Sequence, residues 1–158
     1  MIPLLTGLPS AAKGTLRKYV GISLAFAFAA HWLVASKGFP ARMDDLVSNS
    51  LSIGALMVGL LATGQTFYLS LTPTEIFRQL KKLKLHLELP AWCAFGMAAG
   101  LAATLASLLA MTLTKKPMQE ASSDLWLFDL WVATWALAVQ SFIKALRILH
   151  KVIQASLN

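Results

Sequence analysis

The sequence predicts an all-α integral membrane protein. Four transmembrane helices form a bundle with both chain ends on one side, and an amphipathic helix joins the second crossing to the third. Two uncharged stretches carry most of that prediction. No charged side chain occurs between Asp45 and Glu75, and none from Ala91 to Thr114. Crossing the hydrocarbon core of a bilayer takes about 20 apolar residues at ~1.5 Å of rise each. Composition agrees: 57% of residues are hydrophobic and 13% charged, with a mean hydropathy of +0.64, whereas roughly a quarter of a soluble domain is charged. A soluble bundle also needs a polar face on each helix. The stretch from Ala91 to Leu113 has only small and hydroxyl residues to offer.

The first helix is expected over about 19–36, stopped by Lys37-Gly38 and Pro40. Val34-Ala35-Ser36 has the small residues of a signal-peptide cleavage site. The segment before the apolar core is long for a signal peptide, so a retained helix is expected. The second helix covers about 46–71. Next, Thr72-Pro73-Thr74-Glu75 combines a capping Thr, Pro at the first helical position and Glu three residues after the cap. It opens an amphipathic helix over about 73–89. Ile76, Phe77, Leu80, Leu83 and Leu87 line one face of it, with Arg78, Lys81, Lys82 and Lys84 around the rest. The third helix is expected over 91–113, beginning after Pro90. The fourth runs over 125–143 after Ser122, Ser123 or Asp124 as cap. No Gly or Pro follows Leu125, so it extends toward 157. Phe142, Leu146, Leu149, Ile153 and Leu157 form an apolar stripe on that extension, opposite Lys144, Arg147 and Lys151.

Basic residues orient the bundle. Lys13, Arg17 and Lys18, the Arg78 to Lys84 group, and Lys144, Arg147 and Lys151 share one side; only Lys37, Arg42, Lys115 and Lys116 fall on the other. Cytoplasmic loops are enriched in Lys and Arg, so both termini are expected in the cytoplasm of a bacterial inner membrane. The formal charge of +7 therefore points to anionic lipid, or to a cytoplasmic protein partner at the 73–89 helix or the tail. Nucleic acid fits poorly, because no aromatic platform accompanies the cations.

Polar residues at membrane depth face protein or water. On helix two, Asp45, Asn49, Ser52, Gly59, Thr63, Thr66 and Ser70 lie in one narrow arc interrupted by Leu56. The arc reads as a helix–helix seam within one protomer, or as a pore wall with an apolar constriction if the protein is a symmetric oligomer. Helix three carries Gly96-Met97-Ala98-Ala99-Gly100, followed by Ala103. That pattern permits close helix packing within or between subunits. Helix four has a bulky side of Phe128, Trp131, Trp135 and Phe142, suited to lipid or a neighbouring subunit. Its small side of Asp129, Ala133, Ala136 and Gln140 should point inward. Asp129 lies at about the depth of His31 on helix one, so the two are expected to pair.

No catalytic residues, metal ligands or cofactor are expected. His31, His86 and His150 are not at matched depths for haem, and Walker, HExxH and GxSxG motifs do not occur. A single cysteine, Cys93, excludes an intramolecular disulfide. Helix one has no Glu of the kind a small drug/proton antiporter carries.

Three features carry a resemblance to a known group: the Asp44-Asp45 lead-in, the polar opening Ser48-Asn49-Ser50-Leu51-Ser52 of helix two, and the basic Arg78 to Lys84 loop. With this layout the chain resembles small four-helix inner-membrane proteins of phage-exclusion and anti-phage defence operons, the phage-exclusion ion channel type among them. The resemblance implies a homo-oligomeric channel or membrane sensor that answers to a cytoplasmic partner and permeabilises the inner membrane. A non-conducting anchor for a cytoplasmic protein and a holin-like lysis protein are the alternatives.

Overall fold

The computed structural model describes residues 10–38, 43–70, 77–78, 81, 85–113 and 122–157. Four long helices account for nearly all of them: α1 (Ser10–Lys37), α2 (Met43–Ser70), α3 (Leu85–Leu113) and α4 (Ser122–Leu157). Each contains a segment long and apolar enough to cross a membrane: Gly14–Lys37, Asp45–Ser70, Leu87–Leu113 and Leu125–Gln154. This is a multi-pass membrane architecture.

Helix boundaries follow local chemistry. α1 begins nine residues before the expected Tyr19, at Ser10. Leu16 within that extension packs, like Tyr19, on the cluster around Trp92. α1 ends where Gly38 takes φ 79° and its N–H bonds the carbonyl of Val34 at 2.7 Å. That is the left-handed cap for which glycine carries no Cβ penalty.

α3 corrects the expected start after Pro90. It begins at Leu85 and carries Pro90 inside. A proline so near a helix start forfeits one hydrogen bond, to the carbonyl four residues back, in a region whose first four N–H groups have no intrahelical partner anyway. Burial of Leu89, Trp92 and Cys93 against Tyr68, Ile148 and Val152 favours the longer helix. The expected amphipathic helix over 73–89 is corrected to that extent, since its last five residues are the opening turns of a crossing. Phe77, Arg78 and Lys81 are helical, with Arg78 and Lys81 exposed. Lys82, Lys84 and the capping residues 72–75 lie outside the described residues.

In space, α4 sits between α1 and α3, and α2 lies on the far side of α3, touching α4 only slightly. α1 otherwise meets the rest at its two ends. Tyr19 packs on Trp92 of α3 with ring centroids 5.6 Å apart, and Val34 joins Met43 and Val47 of α2. Buried positions of α2 run Met43, Val47, Ser50, Gly54, Met57, Leu61, Gly64 and Tyr68, in alternating steps of four and three. On α3 the matching line is Leu89, Cys93, Gly96, Gly100, Ala103, Ser107 and Ala110. That spacing belongs to left-handed, coiled-coil-like packing. Gly96 and Gly100 are used inside the protomer. A Cβ on Gly96 would stand 2.7 Å from Leu61 Cδ1, and one on Gly100 would stand 3.0 Å from Val58 Cγ2. Gly54 of α2 lies against Thr104 in the same way.

Candidate functional site

Lipid offers no hydrogen bonds, so each polar group inside these helices must be satisfied by the protein. Three sets of polar residues result.

The first set centres on Ser107 of α3, which is 0% exposed. Its Oγ lies 2.7 Å from Ser50 Oγ of α2, and accepts the indole N–H groups of Trp131 at 2.9 Å and Trp135 at 3.1 Å. A hydroxyl has two lone pairs and one proton. With both lone pairs taken by indoles, the Ser107 proton is left for Ser50 Oγ or for the carbonyl of Ala103, 2.9 Å away. Ser50 in turn donates to the carbonyl of Val47 at 2.6 Å. One serine thus ties three helices together. This corrects the expectation that the bulky α4 side meets lipid or a neighbouring subunit: Phe128 is buried, Trp131 and Trp135 point at α3, and Phe142 packs on the core. Trp126, 75% exposed, is the α4 tryptophan that faces outward. A helical wheel shows two sides of α4 without saying that both have neighbours. The signal in the sequence is a serine within an apolar run.

The second set joins α1 to α4. His31 Nδ1 and Asp129 Oδ2 share a 2.7 Å hydrogen bond, with the side chains 43% and 18% exposed. Nδ1–H is the donor when Asp129 is ionised. The other oxygen, Asp129 Oδ1, is buried and has no hydrogen-bond partner among the described residues. Further along, Gln140 Nε2 donates to Ser23 Oγ at 3.0 Å and to the carbonyl of Ala136 at 3.1 Å, using both amide protons. The small side of α4 therefore faces α1. Beside it lies an open apolar groove of about 350 Å³ between Phe26 of α1 and Trp131, Trp135 and Val139 of α4.

The third set is the α2 arc. Asp45, Asn49, Ser52, Leu56, Gly59, Thr63, Thr66 and Ser70 are all exposed. The protomer's own seam lies elsewhere on α2, on the Met43 to Tyr68 line, so the expectation of an internal seam is corrected. Every residue of the arc stands two positions after one of that buried line, some 200° around the helix. The arc thus repeats the same alternation of four and three on the side turned away from α3. Thr63, Thr66 and Ser70 satisfy their hydroxyls on the carbonyls of Gly59, Ala62 and Phe67 at 3.0, 3.1 and 2.7 Å. A Cβ on Gly59 would meet nothing within 4 Å.

Among the described residues, no group of His, Cys, Asp and Glu side chains is arranged to hold a metal ion. Cys93 is a buried free thiol. Comparison of the chain with protein-family models, with curated proteins and with solved structures finds no match.

Proposed function

We propose that this chain is the subunit of a homo-oligomeric channel or sensor in a bacterial inner membrane, with α2 turned toward its symmetry-related copies. The observation that supports this reading is the second, unoccupied heptad line on α2. A helix at the edge of a bundle and surrounded by lipid needs bulky apolar side chains on its outward sides. α2 has them chiefly on one line, Leu46, Ile53, Leu60 and Phe67, with Leu56 and Leu69 as the exposed leucines outside it. The neighbouring Asp45 to Ser70 arc is small and hydroxylated, as helix–helix contacts and water-lined paths in membranes are. With the hydroxyl protons held by backbone carbonyls, its threonines would turn oxygen lone pairs toward a permeating cation. Leu56, 65% exposed, is the bulky side chain within the arc and would form the constriction.

The basic end of the bundle faces the cytoplasm in this reading. A place in anti-phage defence rests on the resemblance of its layout to phage-exclusion proteins. One observation favours a non-conducting anchor as the second reading: α4 has 36 residues, about 54 Å at 1.5 Å each, and overshoots a ~30 Å hydrocarbon core. Its projecting end could seat a cytoplasmic protein.

Membrane potential, followed with a voltage-sensitive dye in bacteria expressing this chain alone, tests the proposal. Depolarisation that is lost in Thr63→Leu or Thr66→Leu, with each variant present in the membrane, is the expected result. A Thr63→Cys chain should also cross-link to itself through the new thiol, since the native Cys93 is buried and does not compete. An unchanged potential together with no cross-link refutes the oligomeric reading.

A further inference from the structure

The line of α4 that seats α1 does not stop where α1's polar contacts stop. Asp129, Ala133, Ala136 and Gln140 are spaced by four, three and four residues, and the same alternation continues through Ile143, Arg147, His150 and Gln154. From Ile143 onward these side chains are exposed, apart from the α1 seam. With Leu146 and Lys151 they border an open groove of about 440 Å³. Its chemistry is graded along the helix. Ile143 and Leu146 come first, then Arg147, His150 and Lys151 within little more than one turn, then Gln154.

Depth places this gradient at a membrane surface. Exposed Trp126 marks one interface, as amphipathic rings do. About 20 residues of helix cross the hydrocarbon, which brings the other interface close to Leu146. The apolar part of the groove therefore lies among acyl chains, and the three basic residues lie at headgroup level. Positions three and four apart on a helix are neighbours, so the Arg147, His150 and Lys151 side chains converge. Neither Arg147 nor Lys151 has an acidic partner among the described residues. Arg17 and Lys18 are exposed at the same end of the bundle and add to the positive field.

We infer that this groove is a binding site for one anionic phospholipid. Arg147 grips the phosphate through its planar fork, Lys151 supplies a second point charge and His150 donates a further hydrogen bond. Gln154 reaches the headgroup, and one acyl chain runs along Ile143 and Leu146. A phosphate with an attached hydrocarbon chain satisfies both halves of the groove, whereas a soluble acidic peptide leaves the apolar half exposed at acyl depth. The assignment is independent of how α2 pairs.

The test uses the full chain in neutral detergent, titrated with phosphatidylglycerol or phosphatidylcholine while the thermal unfolding midpoint is followed. Phosphatidylglycerol should raise the midpoint and phosphatidylcholine should not. Arg147→Gln with Lys151→Gln should weaken the phosphatidylglycerol response about tenfold, while the midpoint in phosphatidylcholine stays at the wild-type value. If the double variant does not fold, Lys151→Gln alone serves, since Lys151 is exposed. Arg17→Gln, outside the groove, should leave the response within about twofold. Equal weakening by Arg17→Gln would overturn the site in favour of a diffuse field. Stabilisation by inorganic phosphate or an acidic peptide matching that of phosphatidylglycerol would overturn the lipid as occupant.

Discussion

Two helix pairs in this protein are held together in opposite ways. Between α2 and α3 the contact is close and largely apolar: Gly54, Gly96 and Gly100 let Thr104, Leu61 and Val58 approach the opposing backbone. Between α1 and α4 the contact is set by His31–Asp129 and Ser23–Gln140, with alanines spacing them. In a bilayer the hydrophobic effect does not drive one helix onto another, so close van der Waals packing and interhelical hydrogen bonds are the alternatives that remain. One pair relies chiefly on the first and the other chiefly on the second. The lesson is that α1 should be the more easily detached helix. A few polar contacts of modest strength hold it, and fewer of its residues are buried: Ser23, Ala27 and Val34 on α1, against the whole Leu89 to Ala110 line on α3.

The largest effect is expected at the close pair. Gly96→Leu drives a side chain into Leu61 and the Ser141 backbone, and should lower stability by about 3 kcal/mol or prevent folding. Thermal unfolding in detergent would show it; a wild-type midpoint would mean that the α2/α3 approach is not close. Ser107→Ala comes next. It strips two indole N–H groups and Ser50 of their shared partner, at a cost of about 2 kcal/mol, and should shift tryptophan fluorescence as those indoles lose their bonds. Asp129→Asn should cost about 1 kcal/mol, confined to α1. Hydrogen exchange should rise along α1 and remain unchanged in α2 and α3. His31→Ala added to it should cost little more, which a double-mutant cycle reads directly. A slight gain is expected on the exposed side of α2. Gly59→Ala meets open space and removes a helix-interior glycine, so the protomer should gain up to about 1 kcal/mol. Any loss of self-association in the same variant would locate the contact between copies.

Several of these features are visible in the residues alone. Uncharged runs reveal the crossings because no charged side chain enters hydrocarbon cheaply. Rise per residue puts His31 level with Asp129, and the two do meet. Gly96 and Gly100 announce a close approach, although only the neighbouring Leu61 and Val58 show that it lies within the protomer. The start of α3 was not legible, because Pro90 resembles an N-terminal residue until burial of Leu89 and Trp92 is known. Nor was Ser107, whose weight comes from indoles 24 and 28 residues away in sequence.

Residue chemistry alone specifies which segments enter the bilayer and which side chains share a helical face. Both follow from local quantities, the transfer cost of each side chain and the 3.6-residue turn. Which face meets which neighbour was decided only in the tertiary structure. On α2 the Met43 and Asp45 lines share the same spacing, and only packing against Gly96 and Gly100 selects the first. Pairing in a membrane depends on how closely two particular surfaces fit, and that is a property of both helices together.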